Sequence, residues 1–464
     1  MIGEARRYHL VGIGGSGMSG LASFLLSDGA VVSGSDLKEG PELHALRNAG
    51  ARIDVGHAAS HVSRRLDGVI VSSAIGEGNV EVSAARRRHI PIVSRLGALA
   101  EILSRYKSVG VAGTHGKSTT SAMTATILRE CNLDPSFLIG AQCPALGGNA
   151  SLGSGDWFVA EIDESDGLFV NVRPTIAAVT NIGRDHLHTY RGLDEIVQAF
   201  QRFVCGADQA VLTIDDPMVG RVAQDLPDAL TVGTSPSARL RAGCLRHERF
   251  AMRFELILDD VPICEVCLPA PGVHNVRNAL CAIGVALLAG IPPASAARAL
   301  EAFRLPHRRF ELLEENGVTV IDDYAHLPEE VEATLRAIRE GWPGRRIVAV
   351  FQPHRYTRTR DMGSEFGTAF AQADVVVVSA IYAAGERPLP GVSANVVSDS
   401  IRAATAADVH VIPDMDRVLA YLEAHIRPGD FIVSFGAGDI WTVTESLAAF
   451  LIEGRFLEAG EPAG

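Results

Sequence analysis

Val109-Gly110-Val111-Ala112-Gly113-Thr114-His115-Gly116-Lys117-Ser118-Thr119-Thr120 follows a short apolar stretch that reads as a buried strand. It runs into Ser121-Ala122-Met123-Thr124-Ala125-Thr126-Ile127-Leu128, which reads as a helix. A strand, a glycine-rich turn and a helix start make a phosphate cradle, because backbone N–H groups and the positive helix end face the anion. In that frame Lys117 reaches the outer phosphates, and the hydroxyl of Ser118 or Thr119 holds Mg²⁺. Gly113, Thr114, His115, Gly116, Lys117, Ser118 and Thr119 are therefore the expected triphosphate-binding residues, and the chain is expected to spend a nucleoside triphosphate. The strict pattern has a glycine where Val111 stands; Gly110 and Gly113 supply the flexibility instead.

At 464 residues the prior is about three domains. Lys plus Arg, 42, against Asp plus Glu, 55, leaves a net charge of −13, which disfavours general binding of nucleic acid or an anionic membrane. The seven cysteines, at 131, 143, 205, 244, 264, 267 and 281, show no regular spacing, so a disulfide framework is not expected. Cys264 and Cys267 form a C-x-x-C, but without a second pair and inside a strand-like run. No apolar run approaches the ~18–20 residues that span a bilayer. Tyr8-His9-Leu10-Val11-Gly12-Ile13 is too short for a signal-peptide core and leads straight into a glycine loop. The expectation is a cytoplasmic protein, monomer or homodimer.

Working outward from the loop, three blocks appear: 1–106, 107–303 and 304–464. In the first, strands are expected at Val31–Asp36 and 69–75. In the second they are expected at 157–162 and 176–182, with a β-rich excursion over 230–268 and a helix from Val276 to Leu288. In the third, strands are expected at Val318–Asp323, Ile347–Phe351, Val375–Val378 and Phe431–Phe435. Strands alternating with helical stretches predict an α/β chain of three domains: a Rossmann-like N-terminal domain, a central P-loop ATPase domain and a Rossmann-like C-terminal domain.

Gly12-Ile13-Gly14-Gly15-Ser16-Gly17 fits G-x-G-x-x-G after a strand, with Asp36 ending the next one. The turn lets a diphosphate approach a helix N-terminus, and NAD or a UDP-linked substrate satisfies it equally. Beside a triphosphate loop the UDP reading is the better one. Ala160-Glu161-Ile162-Asp163-Glu164-Ser165-Asp166 places acids at a strand's carboxyl end, where sites gather in open α/β sheets, and Glu161 is a candidate Mg²⁺ ligand. Thr180-Asn181-Ile182-Gly183-Arg184-Asp185-His186-Leu187-His188 ends another strand in a polar cluster, with His186 as a candidate for a second metal. Asn-Lys-x-Asp is absent, which disfavours a GTPase switch. Phe351-Gln352-Pro353-His354-Arg355-Tyr356-Thr357-Arg358-Thr359-Arg360 carries three arginines suited to carboxylate or phosphate. The bland alternatives are an acidic surface turn, a capping histidine and a basic helix start.

In this order the pieces resemble the Mur ligases, the ATP-dependent amide-forming enzymes of peptidoglycan precursor synthesis. The resemblance covers nearly the whole chain. It rests on HLVGIGGSGMSGLA (9–22), GTHGKSTT (113–120), EIDESD (161–166), TNIGRDHLHTY (180–190), PGVHNVRNAL (271–280), HRRFE (307–311), DDYAHLPEE (322–330), FQPHRYTRTRD (351–361), IYAAGE (381–386) and GAGDI (436–440). FQPHRYTRT and IYAAGE point to the member that joins L-alanine to the lactyl carboxylate of UDP-N-acetylmuramate through an acyl phosphate. The alternative is a recycling ligase that adds a preformed peptide to the same UDP-sugar. An NAD-dependent oxidoreductase would leave the P-loop unexplained.

The resemblance implies a UDP-sugar site at Gly14, Gly15, Ser16, Gly17 and Met18, with Asp36, Ser72 and Ser73 nearby. It implies ATP contacts at Asn275, Asn278, Arg309 and Asp323 besides the loop, and catalytic roles for Lys117, Glu161, His186 and Arg309. It implies two Mg²⁺ ions on Ser118 or Thr119, Glu161 and His186. The alanine carboxylate is assigned to Tyr324, His354, Arg355 and Arg358. Several Mur ligases carry a carbamylated lysine about fourteen residues beyond the Asp-His pair. Here Phe200 stands in that neighbourhood, and no lysine follows Lys117. Leu327 replaces the second histidine often found in DDYAHHP.

Overall fold

The computed structural model describes residues 6–184 and 189–453, and its strands form three sheets. The first is parallel, with Arg7–Val11 at its centre. Val31–Asp36 and Arg52–Val55 lie to one side, Gly68–Val71 and Ile92–Ser94 to the other. Strand order reverses at Arg7–Val11, so a crevice opens at its carboxyl end, and the turn from Gly12 to Gly17 sits there.

The second sheet has ten strands. Lys107–Ala112 runs parallel between Ile176–Val179 and Trp157–Glu161. The expected β-rich excursion is not a separate body: Leu230–Gly233, Leu240–Glu248, Ala251–Leu258 and Val261–Leu268 extend this same sheet to one edge. Cys264 and Cys267 fall three residues apart on one of these strands, so they point to opposite faces. Both are free thiols.

The third sheet orders Glu311–Asn316, Val318–Asp323, Phe431–Phe435, Ile347–Phe351, Val375–Val378 and Asp408–Val411 from edge to edge, with only the first antiparallel to its neighbour. Four of these strands have the bounds expected from the sequence. They are buried along their whole length, which is why unbroken β-branched and aromatic runs marked them so clearly.

Three strands end early, the one expected over 157–162 by a single residue, at Glu161. The one expected over 69–75 stops at Val71, because the Ile75 amide turns back to the Ser72 carbonyl (3.0 Å). The one expected over 176–182 stops at Val179, because Thr180 and Asn181 turn toward the phosphate loop. The helix expected from Val276 begins three residues earlier, at Val273.

Contacts gather the chain into two compact units. One comprises residues up to Arg246 with Arg253–Pro269 and His274–Pro306. The other comprises His247–Met252, Ala270–Val273 and residues from His307 onward. Within the first unit the first two sheets share a core: Phe24 meets Phe158 edge-on at 5.1 Å, and Tyr106 does so at 5.4 Å. The second unit has its own core, in which Val320, Val350, Val377 and Ile432 of the sheet pack with Val418, Leu422, Leu447 and Leu451 of its helices. Among the described residues no helix is long and apolar enough to cross a membrane.

Candidate active site

The phosphate loop closes as its residue types demand. Gly116 adopts a left-handed φ of 80° and caps the helix Lys117–Glu130 without a side-chain cap, so first-turn amides are left for a ligand. A Cβ on Gly116 would stand 2.4 Å from Asn278 Oδ1, and one on Gly113 would stand 2.1 Å from Thr180 Oγ1. Glycine at both positions is thus a packing requirement. The Thr114 amide donates to the Asn181 carbonyl (3.1 Å) and the His115 amide to Asn181 Oδ1 (2.8 Å). Thr180 Oγ1 (2.6 Å) and Asn181 Nδ2 (2.9 Å) both donate to the His115 carbonyl. Asn181 therefore splints the loop, a role the sequence motif contained but did not reveal.

Lys117 does not reach into open space. Its Nζ donates to the carbonyls of Gly113 and Thr114 and lies 3.0 Å from the Glu164 carboxylate. Burial alone would drive the ammonium toward neutrality, but Glu164, Asp163 and Glu161 outweigh it and raise its pKa, so it stays charged. Glu164 is pushed up to about 7, first by burial and also by Asp163, against the pull of Lys117. The Tyr190 hydroxyl holds the Glu164 carbonyl at 2.6 Å. Glu164 was the missed member of this group; its signal was its place in the acidic motif.

Glu161 ends the strand beside the loop, and one of its oxygens accepts from the Gly140 amide at 2.7 Å. Ser118 and Thr119 open the helix and are buried. A carboxylate with an oxygen to spare and two hydroxyls are the hard donors that suit Mg²⁺. His186, the expected second metal ligand, lies outside the described residues. Asn275 and Asn278 share one face of the helix Val273–Leu288, joined at 3.3 Å, with Asn278 against Gly116. Phe200 is fully buried and meets Phe169 edge-on at 5.0 Å, an apolar contact.

At the first sheet, Gly15 caps the helix Ser16–Ser27, again without a side-chain cap. Asp36 braces this loop: its oxygens accept from the amides of Gly14 (2.8 Å) and Leu37 (2.7 Å). Ser72 lies beneath Gly12 and Ser73 is exposed. Met18 is only 1 % exposed and belongs to the core, with its amide bonded to the Gly15 carbonyl, so its side chain is structural.

In the second unit the two adjacent arginines separate. Arg308 is structural, bonded to Asp322 (2.7 Å) and to the carbonyls of Gly436 (2.7 Å) and Gly438 (3.1 Å). Both lie against the Tyr324 ring, Arg308 at 5.3 Å and Arg309 at 5.0 Å. Asp323 accepts from the Phe310 and Ala325 amides and from Thr334 Oγ1, bracing the turn that carries Arg309. Burial raises its pKa to about 6 despite Arg309. Arg358 Nη1 lies 3.0 Å from His354 Nδ1, the His354 ring stacks on Tyr382, and His326 stands between Tyr324 and His354. The structure thus joins Tyr324, His354 and Arg358, and adds His326 and Tyr382 to them. Arg355 is the exposed cap of the helix Tyr356–Met362, at a φ of 70°, and its side chain is not part of that ring cluster.

Three family profiles match in succession: the Mur ligase family catalytic domain over residues 7–107, the Mur ligase middle domain over 111–286, and the Mur ligase glutamate ligase domain over 308–438. The UDP-N-acetylmuramate–L-alanine ligase of Pelobacter propionicus is 42% identical over 97% of this chain and 99% of its own. That of Anaeromyxobacter dehalogenans strain 2CP-1 is 44% identical over 96% and 98%. The crystal structure of the Thermotoga maritima UDP-N-acetylmuramate–alanine ligase superposes with a TM-score of 0.83 at 29% identity, covering 97% of this chain and 99% of that one. A murein peptide ligase from Psychrobacter arcticus shares the fold, with a TM-score of 0.69 at 24% identity over 96% and 99% of the two chains.

Proposed function

The chain belongs to the Mur ligase family, and from that premise we infer that it joins L-alanine to the lactyl carboxylate of UDP-N-acetylmuramate at the expense of ATP. The observation that carries the reading is that near-full-length relatives with this activity in their names accompany a phosphate cradle whose lysine is buried and charged. The peptide-adding alternative is not favoured, since the peptide ligase shares only the fold at its level of identity.

The lactyl carboxylate attacks the γ-phosphorus of ATP, giving an acyl phosphate and ADP. The amine of L-alanine then attacks the acyl carbon, and phosphate leaves. Phosphoryl transfer needs charge neutralisation and alignment more than covalent help. We assign neutralisation to Lys117 and the amides that follow Gly116, with Asn275, Asn278, Arg309 and Asp323 as further ATP-side residues. Mg²⁺ supplies further neutralisation when bound, and Ser118, Thr119 and Glu161 are the residues to hold it, with His186 assigned to a second ion. Glu164 orients the Lys117 ammonium. Gly14, Gly15, Ser16 and Gly17 receive the diphosphate of the sugar nucleotide on a loop braced by Asp36, with Ser72 and Ser73 at its edge. Tyr324, His354 and Arg358 are assigned to the alanine carboxylate, while Arg355, expected with them, is exposed at the cap of the helix that carries Arg358. Domain boundaries at 106/107 and 303/304 and a cytoplasmic location complete the proposal. They are supported by the opening of the central strand at Lys107 and by a chemistry that draws on ATP.

The test is phosphate release from ATP with UDP-N-acetylmuramate, with and without L-alanine, beside di- and tripeptide acceptors. Release that requires both the UDP-sugar and L-alanine is expected; release only with a peptide overturns the reading.

A further inference from the structure

Arg95 lies outside every motif in the sequence, yet it touches two of them. It opens the helix Arg95–Leu103 at the edge of the first sheet and is 15% exposed. Its Nη2 lies 2.9 Å from Asp163 Oδ2, in the acid loop between Glu161 and Glu164. Its other amino group covers Gly17: a Cβ there would stand 2.7 Å from Nη1 and 3.2 Å from Cζ. Gly17 is the second residue of the helix Ser16–Ser27, whose first turn holds no acid. A cation laid on the positive end of a helix is unfavourable on its own, since that end attracts anions. Asp163 offsets it at Nη2, and Nη1 lies over Gly17 at the end of the loop assigned to the diphosphate.

The acid loop answers to this contact. Asp163 also accepts from the Ser165 amide at 3.0 Å, shaping the turn from which Glu164 meets Lys117. A separate contact already docks the same helix: Asn149 Nδ2 donates to the Ser16 carbonyl at 3.2 Å and approaches Gly20. Docking therefore does not depend on Arg95, and a role beyond packing is left for it.

We propose that Arg95 is a positioning residue for phosphoryl transfer, joining the diphosphate loop at Gly17 to the acid loop at Asp163. Filling the sugar-nucleotide site then sets the loop that holds Lys117, so the two substrates bind with mutual support. Lysine cannot replace it fully, because the two contacts use separate arms of a planar fork.

The inference rests on assigning the loop from Gly12 to Gly17 to the sugar nucleotide, and one control separates the two. A Cβ on Gly15 has only the Gly12 carbonyl near it, at 3.9 Å, so the backbone accepts a side chain there, and Gly15→Val, its fold checked by melting, places bulk over the loop. If Gly15→Val leaves UDP-N-acetylmuramate affinity unchanged, the loop assignment falls and this inference with it. If it weakens affinity, Arg95 is judged on its own variants.

Arg95→Ala, Arg95→Lys and Asp163→Asn are compared in the full chain by steady-state kinetics and by titration of a non-hydrolysable ATP analogue with and without UDP-N-acetylmuramate. Arg95→Ala and Asp163→Asn are each expected to lower kcat/KM for the UDP-sugar by about tenfold or more, with the double variant no worse than the poorer single. The KM for L-alanine stays within about twofold, and Arg95→Lys recovers only part of the loss. The gain in analogue affinity on adding UDP-sugar shrinks toward none in Arg95→Ala, while affinity without the sugar is unchanged. Wild-type coupling in Arg95→Ala overturns the proposal. So does a uniform loss of all affinities that adds to that of Asp163→Asn, which marks a purely structural residue.

Discussion

Lys117 shows how a residue's neighbours define its work. Its ammonium is held by Glu164 and two carbonyls. Lys117→Ala is expected to cut turnover by about 10³-fold or more while UDP-sugar affinity stays within about threefold. The same change strands Glu164 in the interior and costs about 1–3 kcal/mol. Adding Glu164→Gln should restore most of that stability and none of the activity, which melting and turnover measured together will check. A second buried carboxylate lies on the helix Val80–Arg87. Glu81 is bonded to Ser35, His57 and His61, with His9 Nε2 3.6 Å away. Burial works to raise its pKa, but His9, Ser35 and His61 outweigh it and bring it down to about 2. A depressed carboxylate contributes stability that is complete above the ordinary value of 4.5 and is lost as pH falls toward 2. Glu81→Gln should therefore lower stability at neutral pH by about 1–3 kcal/mol and flatten the acid limb of the curve. Urea melts at a series of pH values read both effects; an acid limb as steep as that of the wild type refutes this.

At the scale of elements, the turn between strand and helix carries the site, and its glycines are fixed by what packs on them. Gly116→Ala would need a left-handed alanine and push a methyl into Asn278. The expected result is a loss of about 1–3 kcal/mol in stability and at least a tenfold loss in ATP affinity, read by melting and nucleotide titration. Buried parallel strands were the most legible elements, since both faces are covered and their apolar runs have sharp ends. The strands that ended early did so where polar side chains left the ladder to serve a turn. Thr180 and Asn181 continue an apolar-looking run, and their bonds to Thr114 and His115 end it.

For the whole molecule, the sequence divided the chain into three blocks, while packing binds the first two through Phe24, Tyr106 and Phe158. Residues 1–106 produced alone should expose Phe24, bind a hydrophobic dye and aggregate where 1–303 does not; a clean, dye-silent monomer would refute that reading. The sequence by itself determined the α/β class, the three successive sheets, the phosphate loop and most of the polar groups near it. These follow from periodicity and from residue types whose chemistry is local: glycine for left-handed turns, lysine and hydroxyls at a helix start, acids at a strand's end. Only the tertiary structure decided that Met18 is core, that Asp36 braces its own loop and that Arg308, which shares the Tyr324 ring with Arg309, is tied to Asp322 and two glycine carbonyls. It alone joined Arg95 to both Gly17 and Asp163. Such roles depend on which groups from distant segments come within hydrogen-bonding reach, and no spacing along the chain encodes that distance.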